Sequence, residues 1–316
     1  MEETNPLEGK YIGCLIGLAV GDAFGMPGEN KTHNEIVKEF GEIRKYEVGW
    51  KGKAPAGSFT DDTEMMVAVS EALLKGNGKM DMKNFEESFR GWYKALYLRD
   101  RFKCFGPTCY DATKNLMTGS AWENSGLNSP GNGGAMRVAP IGLLYHDDME
   151  LLKKAAIDST KITHNNPIAI AGSCAIAYAV AQGIKNVNPT QLPKEISNFV
   201  SEISPEMSKK IKGLDDLLGK DPKETILKIG TRGYALDSVP ASIYCFLSSP
   251  RDYYKTISLA ANSADDTDSV AAMAGAISGS FNGIKSIPPF LTEGLENSSK
   301  GRDYIHKLAK DLARLS

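Results

Sequence analysis

Gly13, Gly17, Gly21 and Gly25 recur at every fourth residue of the first strongly apolar stretch, residues 7–20 and the few that follow. That spacing places them near one face of a helix, where missing side chains leave room for a second backbone. A chain carrying such a stripe is expected to bury this helix against a close neighbour. The Ala- and Gly-rich run at residues 270–283 needs close neighbours on every side and is predicted to lie deep in a bundle. The first stretch is a shorter uncharged span than a membrane crossing requires, so a buried helix of a soluble protein is the expectation.

Helical patterning recurs along the rest of the chain. Residues 63–75 form one pattern, stopped by Gly76-Asn77-Gly78. Residues 85–98 form another, with Phe85, Phe89, Trp92, Tyr93 and Leu96 along one side as core. A helix is predicted over residues 110–117, with Thr108 or Asp111 as cap. Residues 168–184 are apolar and uncharged, and they are expected to be the central buried helix. Pro189, Pro193, Pro205 and Pro222 mark helix starts between residues 186 and 229. Residues 237–246 and 253–261 read as further helices, and residues 290–316 as one or two surface helices. Residues 31–57, broken by Gly41, Gly49, Gly52, Pro55 and Gly57, read as a polar loop lying over a pocket. Sustained period-two alternation occurs nowhere. The expected fold is all-α, a single compact orthogonal helical bundle over residues 1–316 with a metal site in a cleft.

The formal charge of −2 gives no electrostatic case for nucleic acid or an anionic membrane as the main partner. Cys14, Cys104, Cys109, Cys174 and Cys245 are odd in number and lack metal-ligand pairing, so reduced thiols are expected. The start, Met1-Glu2-Glu3-Thr4-Asn5-Pro6, is acidic and polar where a secretory signal would be basic and then apolar. Together these predict a cytoplasmic protein.

Chemistry concentrates at two helix starts. Thr60-Asp61-Asp62-Thr63-Glu64 runs into the apolar Met65-Met66-Val67, and Asn262-Ser263-Ala264-Asp265-Asp266-Thr267-Asp268-Ser269 runs into Val270-Ala271-Ala272. Thr and Asp are good helix caps, and acidic residues suit the positive end of a helix dipole. Carboxylates at this density nevertheless repel one another unless a cation neutralises them. Hydroxyls and carboxylates without His or Cys favour hard ions, Mg²⁺ or Mn²⁺. Thr60, Asp61 and Asp62 are placed to hold one ion, and Asp266, Asp268 and Ser269 another, which makes a two-metal site if the two helix starts meet.

Two loops suit an anionic ligand. Ser129-Pro130-Gly131-Asn132-Gly133-Gly134 offers converging amides, with a helix expected to start near Ala135. It lacks the Lys-Ser/Thr of a Walker loop and the preceding strand of a Rossmann fingerprint. Gly106-Pro107-Thr108 is either a simple turn or a second phosphate-binding helix start. His164 precedes the uncharged helix and reads, without other information, as a structural histidine.

Gly21-Asp22-Ala23-Phe24-Gly25 with Glu29, then Thr60-Asp61-Asp62-Thr63, then Gly131-Asn132-Gly133-Gly134-Ala135-Met136-Arg137-Val138-Ala139-Pro140, then Asp266-Thr267-Asp268-Ser269 resemble the ADP-ribosylglycohydrolase family. The resemblance covers residues 9–288 in the family's motif order. It implies metal ligation by Thr60, Asp61, Asp62, Asp266, Asp268 and Ser269. It places Glu29 beside the metals, where Glu29, Asp61 or Asp62 handles the proton of water. Ligand binding is implied for Gly106, Ser129, Gly131, Asn132, Gly133, Gly134 and His164. The implied substrate is ADP-ribose attached to a protein side chain (arginine or serine) or a small acceptor such as an acetyl group. The family commonly has Gly where Asp265 stands and Thr where Ser269 stands, and Asp265-Asp266-Thr267 mimics the first cluster, so the register rests on the residues that follow. Two other readings are an ADP-ribose- or nucleotide-binding module without turnover, and a crystallin-like structural protein whose clusters are only caps.

Overall fold

In the computed structural model, which describes residues 6–98 and 105–316, the glycine stripe lies on α1 (Pro6–Gly25). Cys104, with Phe102 and Lys103, lies outside the described residues, as does the polar start at residues 1–5. α2 (His33–Phe40) follows, fixed by a reciprocal capping box in which Thr32 accepts from Glu35 N and the Glu35 carboxylate accepts from Thr32 N. Then come α3 (Asp61–Lys75), α4 (Met82–Leu98), α5 (Pro107–Met117), the single turn α6 (Trp122–Ser125) and α7 (Ala139–Leu144). α8 (Met149–Lys161) and the buried α9 (Pro167–Ile184) lead to three shorter helices with proline in their first turns. These are α10 (Leu192–Val200), α11 (Pro205–Lys212) and α12 (Pro222–Ile229). α13 (Ala235–Ser248), α14 (Tyr253–Ala261) and α15 (Thr267–Asn282) return the chain to the core, and α16 (Pro289–Gly294) and α17 (Arg302–Ala313) close it. Extended segments among the described residues meet only as isolated bridges, such as Lys31 with Asp265.

α1 and α15 are packed backbone to backbone. A methyl group built on Gly13 would lie 2.7 Å from Gly279 O, and one on Gly17 would lie 2.6 Å from Gly275 O. One on Gly21 would press closer still on Ala271 O, and one on Gly25 on Thr267 O. As the position on α1 rises by four, the partner on α15 falls by four, so the helices are antiparallel and in register turn for turn. Thr267 Oγ1 donates to Gly25 O at 2.8 Å and locks the pair at the end where the acidic residues sit. Among the described residues two helices satisfy the length and hydropathy of a membrane span, Pro6–Gly28, which is longer than the sequence suggested, and Pro167–Ile184, and both are largely buried inside this bundle.

Several expectations change. The centre is the α1–α15 pair, with α9 beside it, because only the glycine faces allow backbones to touch. The polar stretch at residues 31–57 contains α2, whose capping box outweighs its charged composition. Gly106 is the N-cap of α5 with Pro107 in the first turn, and neither Thr108 nor Asp111 caps it. The helix expected near Ala135 is a run of turns, and α7 begins at Ala139. The aromatic stripe of α4 behaves as expected, with Phe85 and Phe89 fully buried.

Candidate functional site

Asp22 is a carboxylate inside an otherwise uncharged part of α1, and it organises the first cluster. Its two oxygens each accept from Thr60 N at 3.0 Å, and Oδ2 also accepts from Thr63 N at 3.1 Å and Thr63 Oγ1 at 2.6 Å. One helix thus caps another, and α3 is docked on α1 by its own unsatisfied first-turn amides. Burial pushes the Asp22 carboxyl up to about 6 despite these bonds. Thr60 is also the local cap, accepting from Asp62 N at 3.4 Å and donating to Asp62 Oδ2 at 3.2 Å. Asp61 Oδ2 accepts from Gly106 N at 3.1 Å, which ties the start of α5 to α3. Asp62 Oδ1 is buried and has no hydrogen-bond partner.

The α1–α15 register carries the second cluster to the same place. Asp266 is the N-cap of α15, and its Oδ2 accepts from Asn132 Nδ2 at 2.6 Å. Asp268 Oδ1 accepts from Ser269 N at 3.0 Å. Asp265 stands outside the helix, exposed, with φ +58°, a left-handed conformation that glycine adopts freely and Asp tolerates. It is held there by a bridge in which Asp265 N donates to Lys31 O at 2.8 Å and Asn30 N donates to Asp265 O at 2.7 Å.

Asp61, Asp62, Asp266, Asp268 and Ser269 therefore line one cleft of about 560 Å³, with Glu29. Residues 105–109, residues 131–133 and His164 share the lining, with Gly106 bonded to Asp61 and Asn132 to Asp266. Thr60, Ser129 and Gly134 are not on its surface. Thr60 lies behind Asp62, the Ser129 hydroxyl accepts from Thr108 Oγ1 at 3.1 Å, and a methyl on Gly134 would meet Ser173 Oγ at 2.7 Å. Asn132 supports rather than faces a ligand, since its amide N donates to Gly233 O at 3.0 Å and its side chain holds Asp266 and Ser238. Gly133 is required by its neighbours, because a methyl there would fall 2.6 Å from His164 Cε1 and 2.7 Å from Cys109 Sγ.

Three contributors carry little sequence signal. Trp50, in a left-handed conformation at φ +49°, donates Nε1–H to Glu29 Oε2 at 2.7 Å. Phe105 lines the cleft with its ring stacked on Tyr110 at 5.0 Å and 13°. Arg137 is fully buried behind the acidic wall, its guanidinium 4.7 Å from the Phe89 ring. A basic residue inside a glycine-rich motif was the available clue for the last.

Burial, then the neighbouring carboxylates, hold Asp61, Asp62 and Asp268 well above the usual carboxylate range, Asp61 also against a bond from Gly106 N; Asp266 is raised by burial. Among the described residues no group of three or more Asp, Glu, His or Cys side chains is placed to hold a metal ion. The oxygen donors come instead as carboxylates and hydroxyls from two helices, and the orphaned Asp62 Oδ1 is what a hard cation would satisfy.

A pH dependence follows. A carboxyl raised in the fold binds more protons there than unfolded, so its stabilisation is present below the unfolded value of about 4 and is lost as pH rises through the folded one. With chelator present, the melting temperature is expected to fall as pH rises from about 5, through the Asp22 value near 6 and beyond. Added Mg²⁺ is expected to flatten that slope. Thermal unfolding against pH with chelator and with Mg²⁺ checks both, and a chelated protein most stable above pH 7 would contradict the burial of these charges.

A family model described as ADP-ribosylglycohydrolase matches residues 3–316. An uncharacterized protein of Archaeoglobus fulgidus is 34% identical over 309 residues, covering 98% of this chain and 97% of its own length. ADP-ribosylhydrolase ARH3 of Gallus gallus is 28% identical, covering 98% of this chain and 95% of its own. A solved structure titled ADP-ribosylglycohydrolase-related protein complex superposes with a TM-score of 0.79 at 26% identity, covering 98% of this chain and 99% of that one.

Proposed function

Since the chain belongs to the ADP-ribosylglycohydrolase family, we propose that it is a divalent-metal-dependent hydrolase that cleaves the glycosidic bond between ADP-ribose and an acceptor. The acceptor is a protein side chain, arginine or serine, or a small group such as acetyl. The observation that carries this reading is the convergence of residues 60–62 and 266–269, far apart in sequence, on one nucleotide-sized cleft with a buried carboxylate oxygen left unpartnered.

Asp61, Asp62, Asp266, Asp268 and Ser269 would hold two ions, Mg²⁺ or Mn²⁺, with Thr60 joining them only if its hydroxyl turns from Asp62 to the cleft. When bound, the ions supply charge that fixes the ribose hydroxyls and acidifies water. The protein's part is geometric and electrostatic. Glu29 and Asp265 both line the cleft outside the two ligand sets, and Glu29, held by Trp50, would take the proton of the attacking water. Asn132 keeps Asp266 aimed, and Asp22 keeps the start of α3 in place. Positive charge develops on the ribose ring during bond cleavage, and the carboxylate wall offsets it. Phe105 offers an aromatic face for the base, and Gly131, Gly133 and the first turn of α5 beyond Pro107 suit the diphosphate. The same residues bear on localisation only through the substrate, and a cytoplasmic protein remains our proposal from the composition.

The test is turnover of ADP-ribosyl-arginine, ADP-ribosyl-serine and O-acetyl-ADP-ribose with Mg²⁺ and with Mn²⁺. Release of ADP-ribose from at least one, abolished by chelator, is expected. Metal-dependent ADP-ribose binding without product from any of the three would replace the hydrolase with a binding module. No tight divalent site at all would reduce the clusters to helix caps.

A further inference from the structure

His164 lines the cleft, yet its ring is attached to a buried chain of polar groups that the reaction does not require. Arg137 Nη2 donates to Thr163 Oγ1 at 2.6 Å and to Ser159 O at 3.0 Å, while its Nε has no partner. Thr163 Oγ1 in turn stands 2.9 Å from His164 Nδ1. A guanidinium only donates, so it occupies Thr163 as an acceptor and leaves the hydroxyl's own proton to go elsewhere. Two acceptors are in reach, His164 Nδ1 and, at 3.5 Å, Thr160 O. Thr160 O already accepts from Thr163 N at 3.0 Å and His164 N at 2.8 Å, which fills both of its lone pairs.

We propose that Arg137 and Thr163 are positioning residues that fix the tautomer of His164: the Thr163 hydroxyl donates to Nδ1, so Nε2 carries the proton and presents a neutral N–H donor to an oxygen of the ligand. Nε2 points toward the glycine segment of the cleft, since a methyl on Gly131 would come within 3.2 Å of it. No acceptor among the described residues stands opposite it. In this state His164 offers no lone pair to a metal ion and acts neither as base nor as acid. Its environment agrees, because burial and then the Arg137 charge push the imidazole down to about 3, so the ring stays uncharged across the working range. The oxygen's identity, a ribose hydroxyl or a phosphate oxygen of ADP-ribose, rests on the proposed function; the tautomer does not.

The experiment is nitrogen NMR of the histidine rings in the ligand-free full chain, assigned with His164→Asn, together with calorimetric binding of ADP-ribose in Mg²⁺. A pyrrole-type Nε2 and a pyridine-type, hydrogen-bonded Nδ1 are expected in the wild type. Thr163→Val is expected to give a mixture of tautomers and to weaken ADP-ribose about tenfold, the loss of one oriented neutral hydrogen bond. Thr163→Ser, which keeps the hydroxyl, is expected to retain both the single tautomer and the wild-type affinity. A merely structural Thr163 would leave the nitrogen pattern unmoved. A wild-type ring protonated at Nδ1, or a folded Thr163→Val protein with one tautomer and unchanged affinity, overturns the proposal. Should Thr163→Val not fold, the wild-type spectrum decides. The Nε2–H pattern in a protein that binds no ADP-ribose supports the relay and overturns the function reading instead.

Discussion

Asp62→Asn is expected to lower turnover by about a hundredfold or more and, at the same time, to raise the melting temperature of the chelated protein by about 2–5 °C. The two effects have one cause. Asp62 is buried, its Oδ1 lacks a partner, and Asp22, Asp61 and Asp266 stand near enough to push its proton affinity up. An amide of the same shape removes a buried charge and keeps the volume. It also removes the oxygen donor proposed for the cation. The pair of measurements is a substrate assay in Mg²⁺ and a melt in chelator. Full turnover by the Asn variant would show that Asp62 is not a ligand, and a large fall in the chelated melting temperature would show that its charge is stabilising as it stands.

The second large effect is on folding. Gly21→Ala adds one methyl group where Ala271 O already touches the α1 backbone, and both contacting groups are main chain, so no side chain can swing aside. The helices must separate or tilt, and a loss of about 3 kcal/mol or more is expected from urea denaturation. Gly91→Ala is the control. Gly91 is an exposed residue of α4 with no atom within 4 Å of a built methyl, so alanine there is expected to be neutral or to stabilise by about 0.5–1 kcal/mol. Equal midpoints for the two variants would mean that α1 and α15 are not in backbone contact in solution.

Much of this was legible in the sequence because the residues involved repeat. Gly13, Gly17, Gly21 and Gly25 announced a close helix neighbour through their period, and the acidic helix starts announced themselves by density. The chain alone did not say that the glycine stripe's partner is the helix opened by the second acidic cluster, since pairing is a property of two segments at once. Asp22 was harder, because a single carboxylate in an apolar run has no period and its three donors, Thr60 N, Thr63 N and Thr63 Oγ1, come from the cap and first turn of α3. Trp50 and Phe105 were missed for a related reason: each is a lone aromatic residue, Trp50 within a stretch read as a polar loop, with no period to point at a partner. α2 was missed although Thr32 and Glu35 stand at capping-box spacing, because charged composition and nearby glycines suggested a loop. The backbone shape of the second cluster was not legible either: Asp265 is left-handed and bridged to Lys31, and Asp266 caps the helix.

The turn-for-turn registry of α1 and α15 restricts which changes of length heredity can try in this scaffold. Inserting one residue ahead of Asp22 would swing every earlier glycine about 100° off its seam and leave bulky neighbours facing α15. Adding a whole turn would keep the seam but slide one helix along the other. Changes of length are therefore expected to be tolerated in the loops rather than within α1 or α15, which keeps the distance between the two acidic helix starts fixed in space.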